Sequence, residues 1–252
     1  MDNIRILEPA PDARIRMVCC PHAGASAGAY APLARELPGD VEMLAVEYPD
    51  RRKVGFDSIE QLADQIAEGL APWAERPLAV YGHSMGAAVG FELTRRLEAA
   101  GAAVPALIVS GRRGPSNGLG PGMPRDDDEI AAELVAMGAV PKKLLEKPKF
   151  RESILTVIRH DYGVNSRYRA PAAATVAAPM TFLLADSDVY VDPATPATWR
   201  GHTTGAFGVE RFHGGHFFLN EQLSAVVSTI TAELRAAFAA ALEVPQGSVR
   251  EW

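Results

Sequence analysis

The chain has 252 residues, of which 48% are hydrophobic and 22% are charged, and its formal net charge at pH 7 is −6. This length and ordinary composition predict one globular domain with a substantial core. They exclude a mostly disordered chain, a collagen and a small disulfide-stapled scaffold. Because the net charge is negative, nucleic acid is not expected as the main partner.

The sequence also predicts a cytoplasmic location. It contains no run of 18 apolar residues, so we expect no membrane-spanning helix, and Met1–Arg5 lacks the apolar core of a secretory signal. The only cysteines, Cys19 and Cys20, are adjacent in an apolar run. Neighbouring side chains of a strand point to opposite faces, so we expect two buried free thiols in a reducing compartment rather than a disulfide.

Short apolar runs alternate with amphipathic stretches along the chain. The first two strands are predicted at Arg16–Pro21 and Val41–Tyr48, followed by a helix at Asp57–Trp73 whose start resembles a capping box of Asp57 and Glu60. Later elements, in chain order, are a strand at Pro77–Tyr81, a helix at Ser84–Ala100, strands at Val104–Ser110, Pro179–Ala185 and Val209–Phe212, and a helix at Asn220–Leu242. This alternation predicts an α/β fold with a mostly parallel sheet and helices on both faces.

One stretch, residues 115–170, breaks the alternation and is predicted to be a helical insertion over one end of the sheet. It begins with the Gly- and Pro-rich segment Gly118–Pro124, which suggests a hinge. Short helices are expected at Asp126–Gly138, Lys142–Lys147 and Phe150–Tyr162. Residues 112–169 hold 11 Lys or Arg and 8 Asp or Glu, so this part carries +3 while the remainder carries −9.

The pentapeptide Gly82-His83-Ser84-Met85-Gly86 matches G-x-S-x-G. It follows a predicted strand and opens a predicted helix, which is the context in which this motif presents a serine nucleophile at the top of a sheet. A chance glycine-rich turn is the alternative. We therefore predict Ser84 as the nucleophile.

A serine hydroxyl needs a base, which in this arrangement is a histidine held by a carboxylate. His216 lies in a glycine-containing loop before the last helix and is the predicted base. An HxxH metal pair of His213 and His216 is the alternative, but no convincing further ligands accompany it, so no metal is expected. Three acids follow the preceding strand: Asp186, Asp188 and Asp192. Asp188 is the preferred acid, with Asp186 as the main alternative.

The oxyanion hole needs two backbone N–H donors. One is expected from Met85, directly after the nucleophile, and the other from Ala23, in the loop that follows the first predicted strand. His22 and His83 adjoin these positions, and we interpret both as packed, hydrogen-bonded histidines rather than as the base.

Six motifs in order resemble those of the type II thioesterases, α/β-hydrolases that accompany polyketide synthases and nonribosomal peptide synthetases. The motifs are Pro21-His22-Ala23-Gly24, Tyr48-Pro49-x-Arg51, Gly82-His83-Ser84-Met85-Gly86, Ser110-Gly111-Arg112-Arg113, Arg159-x-Asp161-Tyr162 and Gly214-Gly215-His216-Phe217-Phe218-Leu219. The resemblance implies a single α/β-hydrolase domain over residues 1–252 with a helical lid at 115–170. It also implies a Ser84, Asp188 and His216 triad and oxyanion donors at Ala23 and Met85. Departures from the family pattern at Ala25, Asp50 and Val189 bear on loop geometry and substrate range rather than on the triad.

By this resemblance, the substrate is an acyl group on the phosphopantetheine arm of an acyl or peptidyl carrier protein. We expect a monomer without cofactor, metal or membrane attachment. A small-molecule ester, lactone or acyl-CoA hydrolase with the same triad is the alternative, and a non-enzymatic synthase subunit is a third hypothesis. Basic residues could dock an acidic carrier protein, although a solvated face is the simpler interpretation. They are Lys142, Lys143, Lys147 and Lys149, with Arg112 and Arg113 nearby.

Overall fold

A computed structural model describes residues 3–119 and 126–243 of the chain. Most of the predicted hinge, from Gly120 to Pro124, lies outside the described residues. The described residues form a seven-stranded sheet with the order β1-β3-β2-β4-β5-β6-β7. The strands are β1 (Ile4–Ile6), β2 (Ile15–Cys20), β3 (Val41–Val46), β4 (Leu78–His83), β5 (Leu107–Ser110), β6 (Met180–Ala185) and β7 (Phe207–Phe212).

Strands β2 to β7 pair in parallel, which confirms the predicted α/β class. β1 pairs antiparallel with β3, with Ile4 opposite Val46, and closes one edge of the sheet. β1 was not predicted, because three residues are too few to show an alternating pattern. The carboxyl ends of the parallel strands meet at one edge, where ligands of such sheets bind.

Helices cover both faces of the sheet. They are α1 (Ala31–Glu36), α2 (Ile59–Gly69), α3 (Met85–Ala99), α4 (Asp127–Ala136), α5 (Lys142–Leu145), α6 (Pro148–Arg167), α7 (Thr195–Arg200), α8 (Phe218–Glu221) and α9 (Leu223–Glu243). The short helices α1 and α8 were not predicted as elements, because fewer than two turns carry little periodicity.

The start of α2 differs by one residue from the expected capping box. Ser58, not Asp57, is the N-cap, and its hydroxyl accepts the backbone N–H of Gln61 at 3.1 Å. The Gln61 side-chain oxygen in turn accepts the N–H of Asp57 at 2.6 Å. Serine and aspartate are both good N-cap residues, so adjacent candidates leave the start of the helix ambiguous by one residue.

The two sheet faces carry separate apolar clusters. One lies under α2 and α3 and includes Cys20, and the other lies under α1 and α9 and includes Cys19. Both cysteines are free and fully buried. Burial raises the pKa of both thiols, so each is a protonated, apolar core side chain.

Helix α9 contains the one described stretch, Leu223–Ala240, that is long and apolar enough to cross a membrane, with a mean hydropathy of 1.3. Val226, Ile230 and Leu234 are buried in the cluster that also contains Met17 of β2. Packing against the sheet therefore accounts for the apolar composition of this helix.

Helices α4, α5 and α6 form the observed insertion between β5 and β6. They share a third apolar cluster that includes Ile130, Leu134, Leu155 and Ile158. α6 runs to Arg167, five residues beyond its predicted end at Tyr162. The insertion thus has a small core of its own and lies at the carboxyl edge of the sheet.

Candidate active site

Ser84 occupies a strained turn between β4 and α3. Its φ of 57° and ψ of −120° make it the only residue other than glycine with a positive φ among the described residues. Its backbone N–H donates to the carbonyl of Ser110, at the end of β5, at 2.9 Å. A strained non-glycine residue at the end of a parallel strand is typical of a nucleophile elbow.

The glycines on either side of Ser84 allow this turn to pack closely. A Cβ atom on Gly82 would lie 2.0 Å from the carbonyl oxygen of Gly86, and one on Gly86 would lie 2.0 Å from the carbonyl oxygen of Cys20. No side chain fits at these distances without backbone movement. The two glycines therefore seat the elbow directly against the end of β2.

His216 and Asp188 form a buried pair beside this turn. His216 Nδ1 lies 2.9 Å from Asp188 Oδ2 and 3.0 Å from Oδ1, and the Asp188 side chain is fully buried. The backbone N–H of Tyr190 also donates to Asp188 Oδ1 at 3.0 Å. A carboxylate at Nδ1 favours the tautomer that carries its proton there, which leaves Nε2 as the basic nitrogen.

The other two candidate acids have different partners. Asp186 Oδ2 lies 2.7 Å from Nδ1 of His213, whose side chain is 92% exposed. Asp192 accepts the hydroxyl of Thr195 and the N–H of Ala194 in its own turn. Within the described ranges, no group of three or more His, Cys, Asp or Glu side chains is placed to hold a metal ion.

The predicted oxyanion donors lie in two tightly held segments. Met85 is the first residue of α3, so its N–H has no carbonyl partner within that helix. Ala23 belongs to the loop Pro21–Ala25, which other parts of the chain hold at three points. The Tyr48 hydroxyl donates to the carbonyl of Pro21 at 2.7 Å.

The other two points involve Arg51 and Asp161. Arg51 Nη2 donates to the carbonyl of Ala25 at 2.8 Å, and Asp161 Oδ2 accepts the N–H of Gly24 at 2.8 Å. Arg51 and Asp161 are themselves an ion pair at 3.3 Å, with side chains 7% and 0% exposed. The sequence motifs contain both residues, but a spacing of 110 positions gives no signal that they meet at the oxyanion loop.

His22 and His83 are neutral imidazoles with structural partners. His22 Nδ1 lies 2.9 Å from the carbonyl oxygen of Ala23, and burial lowers its pKa to about 4. His83 Nδ1 lies 2.9 Å from the hydroxyl of Ser110. Burial, and then the nearby His216, hold the pKa of His83 well below its ordinary value. Neither histidine has a carboxylate partner, so neither has the arrangement of a general base.

A cavity of about 790 Å³, its open mouth included, contains Ser84 and His216 on its wall. The insertion supplies most of the apolar wall, through Leu134, Met137, Ala139, Val140, Ile154 and Ile158. An apolar chamber above a nucleophile suits a short hydrocarbon chain.

Helix α4 also contacts the loop that carries Asp188. Glu133 accepts hydrogen bonds from the hydroxyls of Tyr162 and Tyr190, and the Tyr162 bond is 2.9 Å long. The ring of Tyr190 lies edge-on to His216, with centroids 4.9 Å apart. Burial raises the pKa of Glu133. This cluster joins the insertion to the loop of Asp188 and to His216.

The basic residues expected to form one patch are split by the structure. Lys142, Lys143, Lys147 and Lys149 are exposed on α5 and around the start of α6. Arg112 is 2% exposed and lies in the cavity wall, so its assignment to a surface patch is wrong. The neighbouring Arg113 is half-buried and also lines the cavity.

Comparison with known proteins identifies the family. A model of the thioesterase domain matches residues 15–234. The chain is 39% identical over 236 residues to the probable cadicidin biosynthesis thioesterase of Streptomyces griseus, covering 92% of this chain and 65% of that protein. It is 36% identical over 240 residues to thioesterase PikA5 of Streptomyces venezuelae, covering 92% of this chain and 85% of the relative.

A solved structure shows the same architecture. The type II thioesterase BorB, from the borrelidin biosynthetic cluster, superposes with a TM-score of 0.82 at 35% identity, covering 93% of this chain and 98% of BorB. This likeness confirms the expected α/β-hydrolase fold.

Proposed function

This chain belongs to the thioesterase family as a type II thioesterase, and we propose that it hydrolyses acyl groups from the phosphopantetheine arm of carrier proteins through Ser84, His216 and Asp188. The observation that carries the proposal is the buried His216–Asp188 pair at 2.9 Å, because His216 lines the same cavity as the strained Ser84. The family membership supplies the reaction class. The substrate class is supported by the resemblance of the six motifs, and by relatives named for cadicidin biosynthesis and for the borrelidin biosynthetic cluster.

The mechanism follows from the roles that these groups can take. His216 Nε2 removes the proton of Ser84 as its oxygen attacks the thioester carbonyl, and the N–H groups of Ala23 and Met85 stabilise the resulting oxyanion. Collapse of this intermediate expels the pantetheine thiol, which takes its proton from His216, and leaves an acyl-serine. Water, deprotonated by His216, then attacks the ester carbonyl. The second intermediate breaks the bond between the acyl carbon and the Ser84 oxygen, which takes its proton back from His216 as the acid is released. Asp188 stabilises the imidazolium formed in both halves of the reaction.

The insertion would serve as the lid of this site. Its apolar side chains form the wall that would receive the acyl chain, and Glu133 joins it to the Asp188 loop through Tyr190. We propose that the insertion at 115–170, part of the single domain, is this lid, and that α4 and α5 move to admit the arm while α6 stays attached through Asp161 and Asn165, since an acyl chain needs a path into a chamber that these helices cover.

Labelling of the nucleophile tests the proposal directly. A fluorophosphonate should modify Ser84 alone, and Ser84→Ala and His216→Ala should each lose most thioester hydrolysis while keeping the wild-type circular dichroism spectrum. Labelling of another serine, or full activity in Ser84→Ala, would contradict the mechanism. Ser26, also close to the oxyanion loop, provides the matched control Ser26→Ala, which should keep both labelling and activity.

The substrate class needs a separate comparison. The same acyl group is offered on a carrier protein, on free pantetheine, on coenzyme A and as an oxygen ester. Preference for the carrier-bound form supports the proposed function. Equal or better hydrolysis of the free esters would favour a small-molecule hydrolase.

A further inference from the structure

His160 lies on the insertion helix α6, directly before Asp161. Its imidazole ring has a polar partner on each nitrogen. Nδ1 lies 3.1 Å from Asp161 Oδ1, and Nε2 accepts the backbone N–H of Phe56 at 3.3 Å. The ring therefore connects the insertion to the segment that follows β3.

These two contacts determine which ring nitrogen carries the proton. A backbone N–H can only donate, so Nε2 must accept, and the proton of the neutral ring lies on Nδ1. Nδ1–H then donates to Oδ1 of Asp161, whose Oδ2 accepts the N–H of Gly24 at 2.8 Å. A continuous chain of hydrogen bonds thus runs from the backbone of Phe56 through His160 to the backbone of Gly24.

The ring of His160 has little freedom to turn away from this position. It lies edge-on to the buried ring of Phe56, with centroids 4.7 Å apart. The backbone of Gly55 also approaches it closely, because a Cβ at Gly55 would lie 2.6 Å from His160 Nε2. Gly55 has a φ of 63°, a conformation that glycine adopts without strain. The side chain of His160, 24% exposed, is therefore held on the side opposite Asp161.

The carboxylate of Asp161 depends on its donors, because it is fully buried. Oδ1 has two partners, His160 Nδ1 and Arg51 Nε, the latter at 3.3 Å. A buried carboxylate with donors on both oxygens cannot rotate without leaving one of these groups unpaired, which is costly. The donors on Oδ1 therefore keep Oδ2 directed at the N–H of Gly24.

We propose that His160 is a positioning residue of the oxyanion hole and acts through Asp161. By orienting this carboxylate, His160 holds Gly24 and, with it, the preceding N–H of Ala23. The inference rests on the proposed thioesterase function and adds a residue to it. Since the oxyanion forms only in the transition state, the loss of His160 should lower kcat and leave KM unchanged. A purely structural role would lower the stability of the fold without this effect on kcat.

Steady-state hydrolysis of an acyl-pantetheine thioester tests the proposal. His160→Ala should lower kcat about fivefold with KM within about twofold of wild type, because the oxyanion loop is loosened rather than lost. His160→Asn keeps an amide N–H near the position of Nδ1 and should recover most of the lost kcat. An unchanged kcat in His160→Ala, a rise in KM instead, or no recovery in His160→Asn would overturn the proposal.

Thr156→Ala is the matched control, one turn earlier on α6. The Thr156 hydroxyl bonds only to Glu152 and Arg159 on the same helix, so this variant should keep the kcat and KM of wild type. If His160→Ala does not fold, His160→Gln replaces it. The side-chain oxygen of glutamine can accept the N–H of Phe56, whereas the Nδ1 donor is still lost, so the same fall in kcat is expected.

A double substitution tests whether the effect passes through Asp161. In an Asp161→Asn background, His160→Ala should lower kcat by no more than about a further twofold, because substitutions within one hydrogen-bonded network are not additive. An undiminished loss in that background would overturn the proposal.

Measurements on the free protein separate this inference from the proposed function. By NMR, the amide hydrogen of Gly24 should exchange at least about threefold faster in His160→Ala than in wild type or Thr156→Ala. The ring ¹⁵N shifts of His160, assigned by their loss in His160→Ala, should show the proton on Nδ1. Unchanged exchange at Gly24, or a proton on Nε2, would overturn the inference. If wild type hydrolyses no thioester, the proposed function fails while these two measurements still decide the role of His160.

Discussion

Asp161, on the insertion helix α6, accepts the backbone N–H of Gly24 at 2.8 Å. Gly24 follows Ala23, the proposed oxyanion donor, so a side chain of the insertion positions the loop that would stabilise the transition state. The same carboxylate pairs with Arg51, which holds the next carbonyl of the loop. The active site and the insertion are therefore connected at the oxyanion loop as well as at Tyr190.

Asp161→Asn should lower kcat about tenfold with little change in KM. Complete loss of one oxyanion donor lowers kcat about 10²- to 10³-fold, and this variant only weakens the hold on the loop that carries the proposed donor Ala23. Breaking the buried pair with Arg51 should also destabilise the fold by about 3–5 kcal/mol. Steady-state kinetics and urea unfolding measure the two effects. Glu152→Gln, on an exposed part of the same helix, is the control and should change neither. A rise in KM with kcat intact would assign Asp161 to binding instead.

The acid of the proposed triad can be tested by two neighbouring substitutions. Asp188→Asn should lower kcat by about 10³- to 10⁴-fold, because the imidazole loses the carboxylate that sets its tautomer and stabilises its charged form. Asp186→Asn should have a far smaller effect, since Asp186 pairs with the exposed His213. Thioester hydrolysis under saturating substrate gives both values. The opposite ranking would transfer the role to Asp186.

Stability should fall in mild acid because of His83. Its pKa is lowered in the folded state, so below the unfolded value of about 6.5 the unfolded chain binds a proton that the folded chain excludes. The free energy of unfolding should therefore decrease as the pH falls from about 6.5, by at most about 1.4 kcal/mol per pH unit for one such group. Urea titrations from neutral pH into mild acid measure this slope.

His83→Gln should flatten that slope, whereas the exposed His213→Gln should not. His22, whose pKa is lowered to about 4, contributes in the same direction and would account for part of any slope that remains. A slope identical in wild type and His83→Gln would show that His83 is not excluded from protonation in the folded protein.

The insertion should exchange its amide hydrogens unevenly. α6 is attached to the sheet side of the molecule by Asp161 and Asn165, whereas α4 reaches it through Glu133. We expect faster exchange in α4 and α5 than in α6 and the central strands, as in a lid that opens from one side. Tyr190→Phe, which removes one hydrogen bond of Glu133, should accelerate exchange in α4. Protection of α4 equal to that of β4 would contradict a moving lid.

The exposed lysines of the insertion should assist carrier-protein docking. Lys142→Glu with Lys143→Glu should raise KM for an acyl carrier protein, and more so at low salt, because screening weakens surface electrostatics. Hydrolysis of a short acyl-pantetheine has no protein to dock and should not respond. An equal response of both substrates would mean that these lysines act on something other than docking. Arg235→Glu, on α9, is a matched charge reversal away from the cavity.

Much of the architecture could be predicted because it depends on local patterns. The elbow at Gly82–Gly86 is contiguous, and its strand and helix neighbours have clear periodicities. The parallel pairing of β2 to β7 followed from the alternation of strands with helices. Asp186 and Asp188 could not be separated in this way, because both follow β6 and only the path of the loop brings one of them to His216.

The remaining features depend on contacts between distant segments. Arg112 was assigned to the surface with Arg113, and it is buried because Asn165 and Tyr168, more than 50 positions later, close around it. The Arg51–Asp161 ion pair likewise could not be predicted from local sequence patterns. Such contacts depend on the path of α6 through the structure. Periodicity predicts that these residues form a helix, but it does not predict which loop the helix packs against.

The two adjacent cysteines of β2 lie on opposite faces of the sheet. Cys19 and Cys20 are consecutive, yet each is sealed in a different apolar cluster, one on each face of the sheet. The rate at which a thiol reagent modifies each cysteine therefore reports how often the helices on that face of the sheet expose it. Modification of one sulfur before the other would reveal that one helical layer detaches while its opposite stays in place, and simultaneous modification would mark the loss of both layers in one cooperative event.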